Sequence, residues 1–544
     1  MHSTTRTTQV VALLVVALLD RPSASSARAG FGGLVLPPVV YGTEGVEGNI
    51  YFDNISPSKS RDFEFEISMT SKSASLANES YHDMGDFVAG SVKQQVERLV
   101  YRPTANSLAD VVVQVTDRDT NNIVAKNYTT LVTTNSSAGK GKTASIVVIG
   151  DSLTASGEHT AWMMKNAAND SMKLKLIGSR GQSLTNRHEG RGGWTVQDYA
   201  TYGRPGVFFH VTGIKSPPGG DPKTSAPESE GWVIPGDETG HWVFWGSNLT
   251  QDAAGLYTGL IIGSCYPCPA AALKPPQVGK LVQSKTNTTI PYRNWRPGSL
   301  NPFWSGSKED GKLDVAAYLR NNNLEIPDAA TIMLGDNDLS SASTDEIAQT
   351  EIASMTSHLR TLIIALLDAG VASVGIVLQP PPSSQDGFGE DYGVMINSGK
   401  PNWTQHGVSN AWREKRAMLH WWEAQIRLVR SIMVELHADE WQHRTGSPVA
   451  IHDDRQGYRR KDPLLLLGVG AAGKSVTVVP AGLNLDTVHN MDIVKVPANA
   501  RSSATDPAQQ IERSVNGVHP AESGQAQIAD ALWSWLKFRM SVVR

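Results

Sequence analysis

Four consecutive β-branched residues, Ile146-Val147-Val148-Ile149, run without the polar alternation of a half-exposed strand and end at Gly150-Asp151-Ser152-Leu153. A run of this kind is buried on both faces, and doubly buried strands belong to parallel sheets covered by helices. The segment therefore predicts an α/β domain. It also sets Ser152 at the carboxyl edge of the sheet, where open α/β folds hold their ligands.

More units of the same rhythm follow. Residues 173–178 read as a second strand, and 330–334 as a third that ends at Gly335-Asp336-Asn337-Asp338. Residues 346–367 then read as a helix, and 374–378 as a fourth strand that stops at Pro380-Pro381-Pro382. Strands ended by turn residues and alternating with helices imply a three-layer α/β/α domain. A long helical region is expected over 403–437, where Trp412, Met418, Trp421, Trp422, Ile426, Val429 and Met433 make an apolar stripe that suits core packing.

The chain has 544 residues, room for two or three domains. Before the joint at 135–142, residues 30–136 are β-rich: Phe63-Glu64-Phe65-Glu66-Ile67 alternates with period two, and Val111 to Val115 and Ile123 to Ala125 flank a turn. This spacing predicts a small antiparallel sandwich with a role in packing or substrate presentation. The α/β domain is expected over 143–541, interrupted at 202–296 by an insertion of loops and a small β element. Trp232, Trp242 and Trp245 lie in that insertion, where they either pack its loops or stack on sugar rings.

Residues 1–29 read as a signal peptide, with His2 and Arg6 before the apolar run 10–19 and Ala27-Arg28-Ala29 at the cleavage spacing. The run is too short for a transmembrane span, so a secreted, extracellular or periplasmic protein is expected. Net charge is -4 and no basic cluster interleaves with aromatics, which disfavours a nucleic-acid partner. The two cysteines, Cys265 and Cys268, suit a local disulfide better than a metal site, because two further ligands are missing. Sequons occur at Asn78, Asn127, Asn135, Asn248, Asn287 and Asn402.

A serine at the end of a buried strand can be a nucleophile if a base and oxyanion donors reach it. Three features answer that need. In Gly190-Arg191-Gly192-Gly193-Trp194, the glycines make either a tight turn or a close approach that offers the Gly193 N–H. Asn337 either closes a strand-end turn or donates its amide to the same oxyanion. His519, in Asn516-Gly517-Val518-His519-Pro520 before a terminal helix over 525–538, is either a helix-start residue or the base.

With these blocks in order, the chain resembles the GDSL, or SGNH, hydrolase family over about residues 143 to 541, outside the insertion. Gly150-Asp151-Ser152-Leu153 looks like its nucleophile block, Gly193 its second-block glycine, Gly335-x-Asn337-Asp338 its third block and His519 its last-block histidine. The resemblance implies a flavodoxin-like fold, ester or acyl hydrolysis, no metal or organic cofactor, and oxyanion donors in the N–H groups of Ser152 and Gly193 and the Asn337 amide. A weaker resemblance, in the N-terminal β domain and Asn301-Pro302-Phe303-Trp304, is to large bacterial secreted members. The family's last block is usually Asp-x-x-His, whereas Asn516 stands three residues before His519 here. Asp486-Thr487-Val488-His489 is a rival Asp-x-x-His, but no docking helix follows it, so His519 is the expected base and Asp486 a possible remote acid. The expected substrate is an acylated polysaccharide, glycan or small ester, with O-acetyl groups preferred. The alternatives are a lipase or general carboxylesterase, and a carbohydrate-binding or adhesive protein without turnover.

Overall fold

In the computed structural model, strand Thr143–Gly150 sends alternate residues to opposite sides. Ala144, Ile146 and Val148 join one apolar cluster, while Val147 and Ile149 join another. Cover on both faces is the reason for the unbroken apolar run. The structure describes residues 33–57, 63–74, 81–82, 90–94, 97–103, 106–181, 183, 185–203, 205–211, 229–235, 242–246, 280–283, 288–299, 301–339, 342, 344–381, 408–445, 474–497, 501–503 and 505–542. The expected signal peptide and both cysteines lie outside these residues.

The protein is mixed α/β, with parallel and mixed sheets. The main sheet runs Arg180–Gly181, Arg187–Gly190, Thr143–Gly150, Ala329–Met333, Ser373–Val377, Ser475–Val479, and Lys173–Ile177 also pairs with Thr143–Gly150. Every pairing is parallel except that of the first two strands. Lys173–Ile177 covers the start of the central strand, and Arg187–Gly190 takes over at its end through Glu189 opposite Ile149 and Gly190 opposite Gly150. That exchange brings the glycine-rich segment after Gly190 beside Ser152.

Strand Ser475–Val479 was not anticipated. Its Ser-Val-Thr-Val-Val pattern alternates like a half-exposed strand, yet all five residues are buried. The polar positions are met from the terminal helix, Glu522–Val542: Trp535 Nε1 donates to Thr477 Oγ1 at 2.7 Å and Arg539 Nη2 to Ser475 Oγ at 2.5 Å. Satisfied in this way, the hydroxyls can be buried at little cost.

Helix Asp345–Asp368 buries Ile352, Met355, Leu359, Leu362, Ile363 and Leu366, close to its expected bounds. The long helix spans Val408–Thr445 and extends beyond the expected stripe. Its buried Trp421 and Trp422 each need a partner for the indole N–H. They find one at two strand ends, Leu334 O at 2.9 Å and Gln379 O at 3.0 Å.

The N-terminal residues form two sheets. One orders Val39–Thr43, Ile123–Thr134, Ser107–Asp117, Phe63–Ala74 and Tyr81–His82; the other orders Gly48–Tyr51, Arg98–Pro103 and Gly90–Gln94. Asn49 donates through its N–H to Asn484 Oδ1 at 2.7 Å, and Asn54 Nδ2 donates to the carbonyls of Gly482 and Leu485 at 2.8 and 2.7 Å. These bonds join the N-terminal sheets to the segment after Ser475–Val479. Within 205–299, strands Pro205–Val211, Ser229–Pro235, Trp242–Gly246, Lys280–Gln283 and Thr288–Ser299 make a five-stranded antiparallel sheet, more extensive than the expected small β element among loops. Among the described residues, no helix is long and apolar enough to cross a membrane.

The terminal helix is also held by a buried cation. Lys537 Nζ donates to Asp170 Oδ2 at 2.5 Å and to Ser136 O at 2.9 Å. Removing one member of a buried pair leaves the other charge uncompensated, so Lys537→Met is expected to cost about 3 kcal/mol. Guanidinium unfolding checks this through a lowered midpoint; an unchanged midpoint would count against it.

Candidate active site

The central strand ends in a tight transition to the short helix Ser152–Ala155. Asp151 caps that helix, its Oδ1 accepting the Leu153 N–H at 3.0 Å. A capping carboxylate fixes the first helical turn and hence the direction of the Ser152 side chain. Ser152 Oγ lies 2.8 Å from His519 Nε2. The two residues meet across 367 positions of sequence.

His519 lies in a strand rather than at the start of the terminal helix. It occupies the end of strand Gln510–Pro520, which pairs antiparallel with Met491–Pro497, Met491 standing opposite Pro520. The Ala521 N–H then bonds to Asn490 O at 3.0 Å, and the terminal helix starts at Glu522. Hairpin and helix together hold the ring against Ser152. Asn516 is opposite Asp492 in the same hairpin, and its side chain lies outside the described residues. The rival pair forms as a local unit: His489 Nδ1 is 3.2 Å from Asp486 Oδ2, and the His489 side chain is 62% exposed. Among the described residues the Asp486 carboxylate reaches His489, Val488 N and Tyr51 Oη rather than His519.

The glycine segment folds over Ser152. The Arg191 N–H donates to Gly150 O at 2.9 Å, and a Cβ placed on Gly192 would stand 3.9 Å from Ser152 Cβ. Gly193 has φ +71, a conformation that side chains with a Cβ seldom adopt. That backbone conformation fits the tight-turn reading. Asn337, in the short helix Asp336–Leu339, donates through Nδ2 to Trp194 O at 3.2 Å. Asp338 accepts the Val196 N–H on both oxygens at 3.2 Å. Ser152, the 190–194 segment and Asn337 thus form one connected group.

Sequence reading missed the polar supports beneath this group. Glu189 is fully buried and accepts from the Ser179 N–H, from Tyr318 Oη at 2.6 Å and from Arg191 at 3.2 Å. Gln379, two residues past its strand, donates to Asp151 Oδ2 at 2.7 Å. Neither residue belongs to a periodic pattern, so only their spatial neighbours reveal them. Burial raises the Asp151 carboxyl to about 6 and the Asp338 carboxyl to about 7. Among the described residues, no group of three or more His, Cys, Asp or Glu could hold a metal ion.

No family model and no curated protein matches the chain. Among solved structures, a 2,6-sialyltransferase of Photobacterium sp. JT-ISH-224, in complex with CMP and lactose, matches at 9% identity and a TM-score of 0.14. The match covers 28% of this chain and 29% of that one, and at this score it bears no argument about fold or activity.

Two buried histidines sit close behind the site. Burial lowers His159 from 6.5 to about 4, and burial with the neighbouring cations Arg180, His159, Arg191 and Arg187 lowers His188 to about 3. The unfolded chain takes up these protons first, so their contribution is complete above about pH 6.5 and is lost as pH falls toward 4. The raised carboxyls of Asp151 and Asp338 act in the opposite sense, losing stability as pH rises through about 6 to 7. A single histidine variant isolates one share. His159 Nδ1 bonds to Gln525 Oε1 at 3.1 Å, a bond that an amide can replace. His159→Asn should lose less thermal stability than the parent between pH 6.5 and 4.5; parallel curves of Tm against pH would refute this.

Proposed function

We propose that the protein is a secreted serine ester hydrolase of the GDSL/SGNH type. The carrying observation is the 2.8 Å contact between Ser152 Oγ and His519 Nε2 at the carboxyl edge of a parallel sheet. Covered faces and parallel order support a flavodoxin-like three-layer domain over 143–541. The two N-terminal sheets support a β-sandwich over 30–136.

In this reading His519 Nε2 takes the Ser152 proton as Oγ bonds to the ester carbonyl carbon. Charge on the tetrahedral oxygen is met by the N–H groups of Ser152 and Gly193 and by the Asn337 amide. As the intermediate collapses, the bond to the leaving alcohol breaks and His519 returns the proton to that oxygen. Water then attacks the acyl-enzyme with His519 again as base, releasing the acid and restoring Ser152. Asn516 takes the position that a carboxylate holds in the related motif, and an amide there can fix the ring tautomer without neutralising imidazolium.

The preferred substrate is an O-acetylated polysaccharide or glycan. Secretion suits such a substrate, and Trp232 and Trp245 stand in register on neighbouring strands of the inserted sheet. Acetate release from acetylated polysaccharide, compared with hydrolysis of long-chain acyl esters, tests the choice. Ser152→Ala should abolish turnover and fluorophosphonate labelling while leaving unfolding unchanged; full esterase activity in that variant would sink the assignment. Asn337→Ala should lower kcat by about 100-fold, the usual cost of one oxyanion donor, and an unchanged kcat would remove Asn337 from that role.

A further inference from the structure

Gln379 is fully buried at the end of strand Ser373–Val377, far in sequence from every block named above. Its side chain has two partners of opposite character. Oε1 accepts the Asp336 N–H at 2.9 Å, and Nε2 donates to Asp151 Oδ2 at 2.7 Å. A backbone N–H can only donate and a carboxylate can only accept, so the two bonds fix which way the amide faces. The Gln379 backbone is itself held, because its carbonyl accepts from Trp422 Nε1 and the preceding Leu378 O accepts the Gly482 N–H at 2.9 Å.

The two partners stand at separate strand ends. Asp151 caps the helix that starts at Ser152, and Asp336 opens the helix that carries Asn337. We infer that Gln379 is a positioning residue, whose amide ties these two helix starts together and sets the distance between the Ser152 nucleophile and the Asn337 donor. The inference rests on the serine-hydrolase reading of the site. It adds a requirement for an amide: a carboxyl in its place can keep the bond from Asp336, but it meets Asp151 as a second acid. Two carboxyls at hydrogen-bond distance must share one proton. Burial already holds the Asp151 proton more tightly than usual, which favours such sharing at mildly acid pH.

Among the described residues, ionisable groups around the bridge include Asp336 and Asp338 on the short helix, Tyr199 against the Gly150 carbonyl, and His519 across Ser152. Asp338 and Asp151 repel when both are charged. The long helix presents the uncharged Trp422 indole to Gln379.

The test uses the full chain, a soluble aryl acetate and fluorophosphonate titration, so that rates are expressed per reactive Ser152. Gln379→Met removes both side-chain bonds and should lower kcat by about 10- to 100-fold with KM little changed. Gln379→Glu should retain its highest activity relative to the parent at the acid end and lose about tenfold more as pH rises and the shared proton leaves. A structural role alone would reduce the fraction of labelled protein and leave the shape of the pH profile intact. If Gln379→Met does not fold, the near-isosteric Gln379→Glu carries the test. Parental kcat in folded Gln379→Met, or a constant ratio to the parent across pH in Gln379→Glu, overturns the positioning role while the hydrolase reading stands. Absence of labelling and turnover in the folded parent overturns both.

Discussion

The structure depends on the double burial of strand Thr143–Gly150. Because helices cover both faces, the strand has no exposed side, and it ends at the buried Asp151 and the half-buried Ser152. The neighbouring strands Arg187–Gly190 and Ala329–Met333 run parallel to it and end at the same edge. Three segments distant in sequence therefore deliver Ser152, Gly193 and Asn337 to one place. Parallel order makes this convergence possible, since each crossover returns the chain to start the next strand from the far edge.

Holding that edge in shape requires polar groups within the apolar layers. Trp421 and Trp422 donate to strand-end carbonyls, and Gly335, at φ +142, leaves room where a Cβ would lie 2.4 Å from Trp421 Nε1. Glu189, fully buried, is satisfied by an N–H, a phenol and a guanidinium. Such networks are costly when half-made and rigid when complete. Rigidity is what a constellation built from three separate strand ends needs.

Much of this was legible in the sequence, for identifiable reasons. The apolar run at 146–149, the strand-end glycines and the stripe on the long helix all report local patterns, and local patterns are what a sequence displays. Strand Ser475–Val479 escaped because its burial depends on Trp535 and Arg539 from a distant helix. In the insertion a small β element was legible, while its extent to five strands was not. For His519 the residue was legible and its setting was not: the strand Gln510–Pro520 exists through pairing with Met491–Pro497, and a hairpin with register shifts leaves only a faint trace in sequence. Gln379 and Glu189 carry no motif, and their importance comes from what surrounds them.

The bonds from Asn49 to Asn484 span 435 residues, and the pair formed by Ser152 and His519 spans 367. Contacts of such separation close late, since the entropy of bringing distant segments together must be met before they return any stabilisation. Along the growing chain Ser152 emerges long before His519. The central strand and its nearest partners can pair first, while the hairpin that carries His519 must wait for later residues. On the proposed serine-hydrolase reading, the chain is thus spared a working nucleophile through most of its own synthesis, and the chemistry switches on when the last long-range contacts close.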